Sequence, residues 1–314
     1  MMRAVRFHRF GGPEVLQVER VPKPTVTPGH ALVDVVTAGV NFADTERRRG
    51  LYLAGEPLPA ITGFEGAGVV SAVGSTFDAA WVGKRVAFVS PASTADTCLV
   101  HVSRLIHLPD TLSMVEGAAF PVQGLSAWHV LHTMASVRAG ETVCVTAAAG
   151  GVGHMAIQLA RAAGATVIGI VSSEAKRKVA LERGAHEVFV GFTGDALSSR
   201  VDVLLDSVGR DAFDFGWQVL KPYGRWVCFG DASGPAPSFP SARLLERSLK
   251  VCGWWLRTPM APDVWARGVS AVVEALVQKK VVLDVHVSPM SGLADVHRAL
   301  ESRASMGKHV VQVG

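Results

Sequence analysis

The chain has 314 residues, 49% of them apolar and 18% charged, with a formal net charge of +4. That length holds two domains with sizeable cores. Its apolar runs are strand-sized and exclude a membrane-spanning helix; the mild basic excess fits an anionic cofactor, and the one tight basic cluster, Arg47-Arg48-Arg49, is far shorter than a nucleic-acid tract.

The N-terminus, Met1-Met2-Arg3-Ala4-Val5-Arg6, leads straight into a strand-like segment with no secretory apolar core. Over residues 1–120, short β-branched runs punctuated by Pro and Gly predict strands at 2–7, 16–21, 30–39, 66–74 and 85–89, with one helix at 41–49 starting on a good N-cap residue, Asn41. Many short strands at this spacing predict a small, partly open barrel. The tight basic cluster Arg47-Arg48-Arg49 reads as an exposed helix end. Four widely spaced cysteines, Cys98, Cys144, Cys228 and Cys252, read as buried thiols of a cytoplasmic protein. Cys98 with His101 is at most half a metal site, because no second pair has ligand spacing.

From residue 113 the texture changes. A helix-rich stretch over 114–134 is followed by strands alternating with helices, the strands falling at 143–146, 166–171, 187–190, 201–206, 224–230 and 249–254. That alternation predicts a doubly wound parallel sheet. Trp254 and Trp255, placed on its last strand, would point to opposite faces, leaving one exposed unless a partner subunit covers it. A helix at 264–279, a strand at 281–287, a helix at 293–303 and a strand at 308–313 close the chain.

The most informative stretch is 142–173. A Val-rich strand leads into Ala147-Ala148-Ala149-Gly150-Gly151-Val152-Gly153, then a helix, Gly164 as its stop, and a second strand, which is the length and order of a βαβ unit. The first turn of a helix carries N–H groups with no intrahelical partner and partial positive charge, so it attracts a pyrophosphate that can come close. Ala149, Gly150, Gly151 and Val152 are the candidates for that contact. The match to the dinucleotide fingerprint is Ala-x-Gly-x-x-Gly, and the Lys-Ser/Thr ending of a triphosphate loop is absent. At the end of the second strand, where a site for a bare ribose places a carboxylate, the chain has Val171-Ser172-Ser173, then Lys176 and Arg177. Hydroxyls and a cation suit a 2′-phosphate, so Ser172, Ser173 and Lys176 point to NADPH. Small and polar residues just past other strand ends, Ser207 and Val208 in one loop and Phe229 and Gly230 in another, lie where an open α/β sheet binds its ligand.

These motifs resemble the medium-chain dehydrogenase/reductase superfamily, and within it the zinc-independent quinone oxidoreductases of the zeta-crystallin type. The matching stretches are 9–16, Gly39-Val40-Asn41-Phe42-Ala43-Asp44, 63–70, Gly124-Leu125-Ser126-Ala127-Trp128, 147–153, Asp206-Ser207-Val208-Gly209 and Met306-Gly307-Lys308. The resemblance implies a Rossmann cofactor domain (121–257) inserted in a GroES-like, partly open β-barrel catalytic domain (1–120 and 258–314), with the active site in the cleft and a homodimeric assembly. It also implies cofactor contacts from Gln123, Ser126 and Lys308. Zinc-dependent relatives carry Cys and His where this chain has Asn41 and Phe64, and neither of these binds zinc well, so no metal is expected. Relatives often place a Tyr where this chain has Gly191-Phe192.

Hydride transfer requires the nicotinamide against an electron-poor carbon and a donor for charge developing on the acceptor. In related enoyl thioester reductases a Tyr at the place of Tyr52 is the proposed proton donor; Asn41 is placed to hydrogen-bond the substrate carbonyl or the nicotinamide. The expected function is NADPH-dependent, metal-free reduction of small quinones or electron-poor alkenes. Two further readings stay open: a 2-enoyl thioester or α,β-unsaturated carbonyl reductase with Tyr52 as donor, and an NADPH-binding structural or RNA-binding protein of low activity.

Overall fold

Short β-branched runs bounded by Pro and Gly do become strands, as the pleat favours residues that pack on both faces. The first stretch runs β1 (Met2–Phe7), β2 (Gln17–Val21), β3 (His30–Val40), α1 (Phe42–Arg48), β4 (Ala60–Ile61), β5 (Glu65–Val73), β6 (Arg85–Val89), β7 (Thr97–His101), β8 (Leu105–His107) and α2 (Met114–Ala119). It continues with α3 (Pro121–His129), β9 (Thr142–Val145), α4 (Gly151–Ala162), β10 (Thr166–Val171), α5 (Glu174–Glu182), β11 (Glu187–Val190), β12 (Val201–Asp206), α6 (Phe213–Val219), β13 (Leu220–Cys228), α7 (Ser241–Arg247), β14 (Lys250–Gly253) and α8 (Pro262–Val277). The chain ends in β15 (Val285–Pro289), α9 (Leu293–Glu301) and β16 (Lys308–Gln312). This computed structural model describes residues 1–52, 55–75 and 79–314.

The chain forms two units: Met1–Val122 with Leu283–Gly314, and Gln123–Val282. Helix α8, read from sequence as part of the returning segment, therefore belongs with the second unit. The first unit carries a sheet in the order β2-β1-β4 and a larger one in the order β15-β16-β3-β5-β6-β8, with β7 also on β3. β16 pairs antiparallel with the end of β3, His309 opposite Val40, so the C-terminal strand completes a sheet begun near the N-terminus. Its core is aliphatic: Val33, Val35, Val70, Val86, Phe88 and Val311 are buried together. The second unit is a parallel sheet in the order β11-β10-β9-β12-β13-β14, with an aromatic core in which Trp226 meets Trp217, Phe213 and Phe239 at centroid distances of 5.8, 5.9 and 5.1 Å. β14 stops at Gly253, so Trp254 and Trp255 lie beyond the strand. Trp254 stacks on His129 at 4.7 Å, whereas Trp255 is 46% exposed. Among the described residues no helix is long and apolar enough to cross a membrane.

The basic cluster corrects the sequence reading. Arg47 and Arg48 are buried; of the three, Arg49 is the exposed one. The Arg48 guanidinium donates to the Gly11 carbonyl at 2.9 Å and pairs with Glu301 on α9. Fixed partners for the guanidinium are what make its burial tolerable. Beside it, His297 of α9 is fully buried and neither ring nitrogen has a hydrogen-bond partner.

Burial, and then the charge of Arg48, hold His297 down at about 3, and burial holds His309 down at about 4. Between those values and the unfolded value near 6.5 the unfolded chain binds the proton and the native chain does not, so stability falls as pH falls. Asp44, raised by burial to about 6, opposes this below pH 6, because there the native carboxyl holds the proton. The expected outcome is a urea midpoint that drops from pH 6.5 toward 4.5. His297→Leu should flatten the slope by about 1.4 kcal/mol per pH unit. Urea titrations at several pH values check it, and an unchanged slope in the variant rules His297 out as the source.

Candidate functional site

Within the first unit, a buried polar network joins residues far apart in the chain. Lys308, at the start of β16, donates from its ammonium to the Val40 carbonyl at 3.0 Å, Asn41 Oδ1 at 2.8 Å and Glu65 Oε1 at 2.5 Å. Asn41 Nδ2 donates to the same Glu65 oxygen at 2.7 Å, and Glu65 Oε2 accepts the Val122 backbone N–H at 2.6 Å. Lys308 and Glu65 are both wholly buried. An ammonium has three donors, and all three are engaged here, so in this arrangement Lys308 braces Asn41. Glu65 is the member sequence reasoning missed: it stood in a quoted motif, but nothing local reveals that its partner is Lys308.

Asn41 caps α1 and is itself held: its backbone N–H donates to Asp44 Oδ2 at 2.8 Å, and Asp44 Oδ1 accepts the Gly63 N–H at 3.1 Å. The Arg47 guanidinium grips Glu56 through Nε, at 2.7 and 2.9 Å, and lies 5.1 Å over the Phe64 ring. Tyr52, half-buried, tilts against the Phe64 ring, with centroids 5.5 Å apart and planes at 57°. Cation and phenol thus both contact Phe64, with the cation's charge balanced by Glu56. Asn41 and Phe64, expected from the resemblance to stand where zinc-dependent relatives hold the metal, are here bonded to Lys308 and packed under Arg47, respectively. A fixed ammonium beside Glu65 repels a second cation.

In the second unit the glycine turn forms as expected. Gly150 is the N-cap of α4, its N–H bonding to the Ala147 carbonyl at 2.8 Å. A Cβ on Gly153 would lie 2.4 Å from the Ala147 oxygen, and one on Gly151 would lie 2.0 Å from Gln123 Nε2. The turn therefore admits no side chain at Gly153, where the backbone is met, and brings the Gln123 amide against Gly151. Ser126, also buried, follows Gln123 by three residues and so shares its face of α3. Ala149 is buried, while Gly150, Gly151 and Val152 are partly open. The first-turn N–H groups of α4 have no intrahelical partner, which fits a pyrophosphate.

Asp206, at the end of β12, organises the neighbouring loop. Its Oδ1 accepts the Val208 N–H at 2.8 Å and the Thr146 hydroxyl at 3.2 Å, and its Oδ2 accepts the Trp226 indole N–H at 3.3 Å; burial raises its carboxyl. Thr146 Oγ1 in turn accepts the Ser207 N–H at 3.0 Å. Ser207 and Val208 are thus pinned beside the glycine turn. Phe229 follows the end of β13, its N–H bonded to the Asp206 carbonyl at 2.8 Å, while Gly230 stays exposed. Asp206 was quoted in a motif, but its role as a hub needed the parallel pairing of β12 with β9 and β13.

At the end of β10, Lys176 Nζ donates to Ser172 Oγ at 3.3 Å, and Ser173 caps α5 by accepting the Lys176 N–H at 3.4 Å. The nearby Glu174 is turned to Arg177 at 3.6 Å. Phe192 packs on Phe215 at 5.2 Å. The cysteines take no part: burial pushes Cys98 and Cys228 up to about 12, which suppresses thiolate reactivity.

Comparison with known proteins accords with this geometry. Residues 27–132 match the alcohol dehydrogenase GroES-like domain, and residues 151–274 match the zinc-binding dehydrogenase family. A Pseudomonas aeruginosa quinone oxidoreductase is 38% identical over 75% of this chain and 75% of its own. A Burkholderia 2-haloacrylate reductase is 35% identical over 75% of each chain. The solved structure of Escherichia coli quinone oxidoreductase complexed with NADPH superposes with a TM-score of 0.92 at 29% identity, covering 99% of each chain. With the zinc-ligand places held by Asn41 and Phe64, the chain belongs to the zinc-independent quinone oxidoreductases of the medium-chain dehydrogenase/reductase superfamily, a family of oxidoreductases.

Proposed function

We propose that the chain is a cytoplasmic, homodimeric, NADPH-dependent reductase that delivers hydride to small quinones or electron-poor alkenes without a metal. The observation that carries the cofactor choice is the end of β10, where Ser172 and the Lys176 ammonium meet at 3.3 Å and the strand end itself carries no carboxylate. A bare ribose 2′-hydroxyl seeks an acceptor there, whereas a 2′-phosphate seeks donors. The likeness to an enzyme solved with NADPH supports the same reading.

NADPH, when bound, supplies the hydride. The glycine turn of the second unit takes the pyrophosphate on the first-turn N–H groups of α4, with Gln123 and Ser126 alongside. Ser207 and Val208, held by Asp206 and Thr146, border the nicotinamide end together with Phe229 and Gly230. In the first unit, Asn41 donates to the acceptor's oxygen or the nicotinamide amide from a position fixed by Lys308 and Glu65, and Tyr52 supplies a proton.

A second reading, reduction of α,β-unsaturated acids or carbonyls, is favoured by the likeness to a 2-haloacrylate reductase.

For Lys176→Ala, loss of a charge-assisted contact should weaken NADPH binding about tenfold while leaving NADH binding unchanged. Nicotinamide fluorescence titration with both cofactors measures it. Tighter binding of NADH by the unaltered protein, or equal NADPH affinity in the variant, refutes the cofactor assignment.

A further inference from the structure

We propose that His154 is a positioning residue that sets the peptide plane of the glycine turn for the pyrophosphate; this rests on the NADPH reading above. His154 lies one turn into α4 and is wholly buried. Its Nδ1 is 3.1 Å from the Gly150 carbonyl oxygen, which also accepts the His154 backbone N–H at 2.9 Å. A carbonyl only accepts, so Nδ1 carries the proton, and the two donors from one residue occupy both lone pairs of that oxygen.

The consequence lies on the other side of the peptide bond. In a trans peptide the C=O of Gly150 and the N–H of Gly151 point in opposite directions. Anchoring the carbonyl inward along α4 therefore aims the Gly151 N–H outward, where the fingerprint places the pyrophosphate. This anchor matters because the plane joins two glycines. Neither has a Cβ to restrict it, so beyond the backbone bond from His154 the plane depends on side-chain support. Gln123, whose amide lies where a Gly151 Cβ would sit, bounds the same residue from its side. The side-chain bond of His154 thus does what sequence cannot do in a glycine pair: it restricts the plane while leaving the close approach open. It joins no chemical step, so its effect falls on cofactor affinity.

The test is equilibrium NADPH binding by fluorescence titration, with steady-state KM and kcat for NADPH in parallel, for three proteins. Replacing the ring by an apolar side chain, His154→Leu, should raise the dissociation constant and KM for NADPH about tenfold, with kcat moving far less, as one hydrogen bond is lost from a preorganised site. His154→Asn, whose amide can donate to the same carbonyl, should recover most of the affinity. Thermal melts of the three confirm that each is folded, and the Asn variant carries the test if the Leu variant is not. Equal affinity in all three overturns the assignment of His154, as does a loss in the Asn variant as large as in the Leu variant. Failure of the unaltered protein to bind NADPH overturns the cofactor reading instead.

Discussion

Lys308→Met should lower the melting temperature by about 5–8 °C. Removing the ammonium leaves the Glu65 carboxylate wholly buried with no countercharge, and leaves the Val40 carbonyl and Asn41 Oδ1 without their donor. Breaking one side of such a pair costs about 3–5 kcal/mol, while replacing both sides costs far less. Lys308→Met with Glu65→Gln should therefore recover much of the loss. The glutamine can still accept from Val122 N–H and donate to a rotated Asn41 amide. Differential scanning calorimetry of the two variants decides it. If the single variant melts within two or so degrees of the unaltered protein, the pair contributes about a kilocalorie or less and the brace is not what holds Asn41.

This network also marks where reading from sequence stops. The βαβ unit was legible because strand, turn and helix are adjacent, and the composition of each reports its own local geometry. The expected strand at 166–171 and the glycine turn fall where they were placed. The end of β10 was legible for the same reason, as Ser172 and Lys176 are four residues apart. By contrast, Lys308 and Asn41 are 267 residues apart, and Arg48 and Glu301 are 253 apart. Local pattern reads a run of three arginines as a solvated face, because charges stay in water unless paired. The pairing that buries Arg48 depends on α9 returning against α1, which only tertiary structure supplies. Strands β7 and β8, Thr97–His101 and Leu105–His107, were missed; they are fixed by pairing with β3 and β6, which only tertiary structure supplies.

The second large effect concerns Tyr52 and separates the two substrate readings. Tyr52→Phe should lower kcat for enones or 2-haloacrylates about a hundredfold while changing quinone reduction only a few-fold. Hydride addition to an activated alkene leaves a carbanion or enolate whose α-carbon must gain a proton for the product to form. Hydride addition to a quinone leaves the charge on a phenolate-type oxygen, which water protonates without help. The substitution isolates the hydroxyl, since the ring contact with Phe64 at 5.5 Å and the Arg47 guanidinium over Phe64 survive in phenylalanine. NADPH affinity should be unaffected, because Tyr52 is not among the residues proposed to hold the cofactor. Parallel kinetics on one quinone and one enone, with a solvent deuterium isotope effect on each, give the readout. A large loss with the alkene alone, together with an isotope effect that falls in the variant, assigns the proton to Tyr52 and makes alkenes the acceptors this site is built for. Equal, small losses on both acceptors reduce Tyr52 to a wall of the site and leave quinones as the better reading, since their reduction makes no demand that a phenol alone can meet.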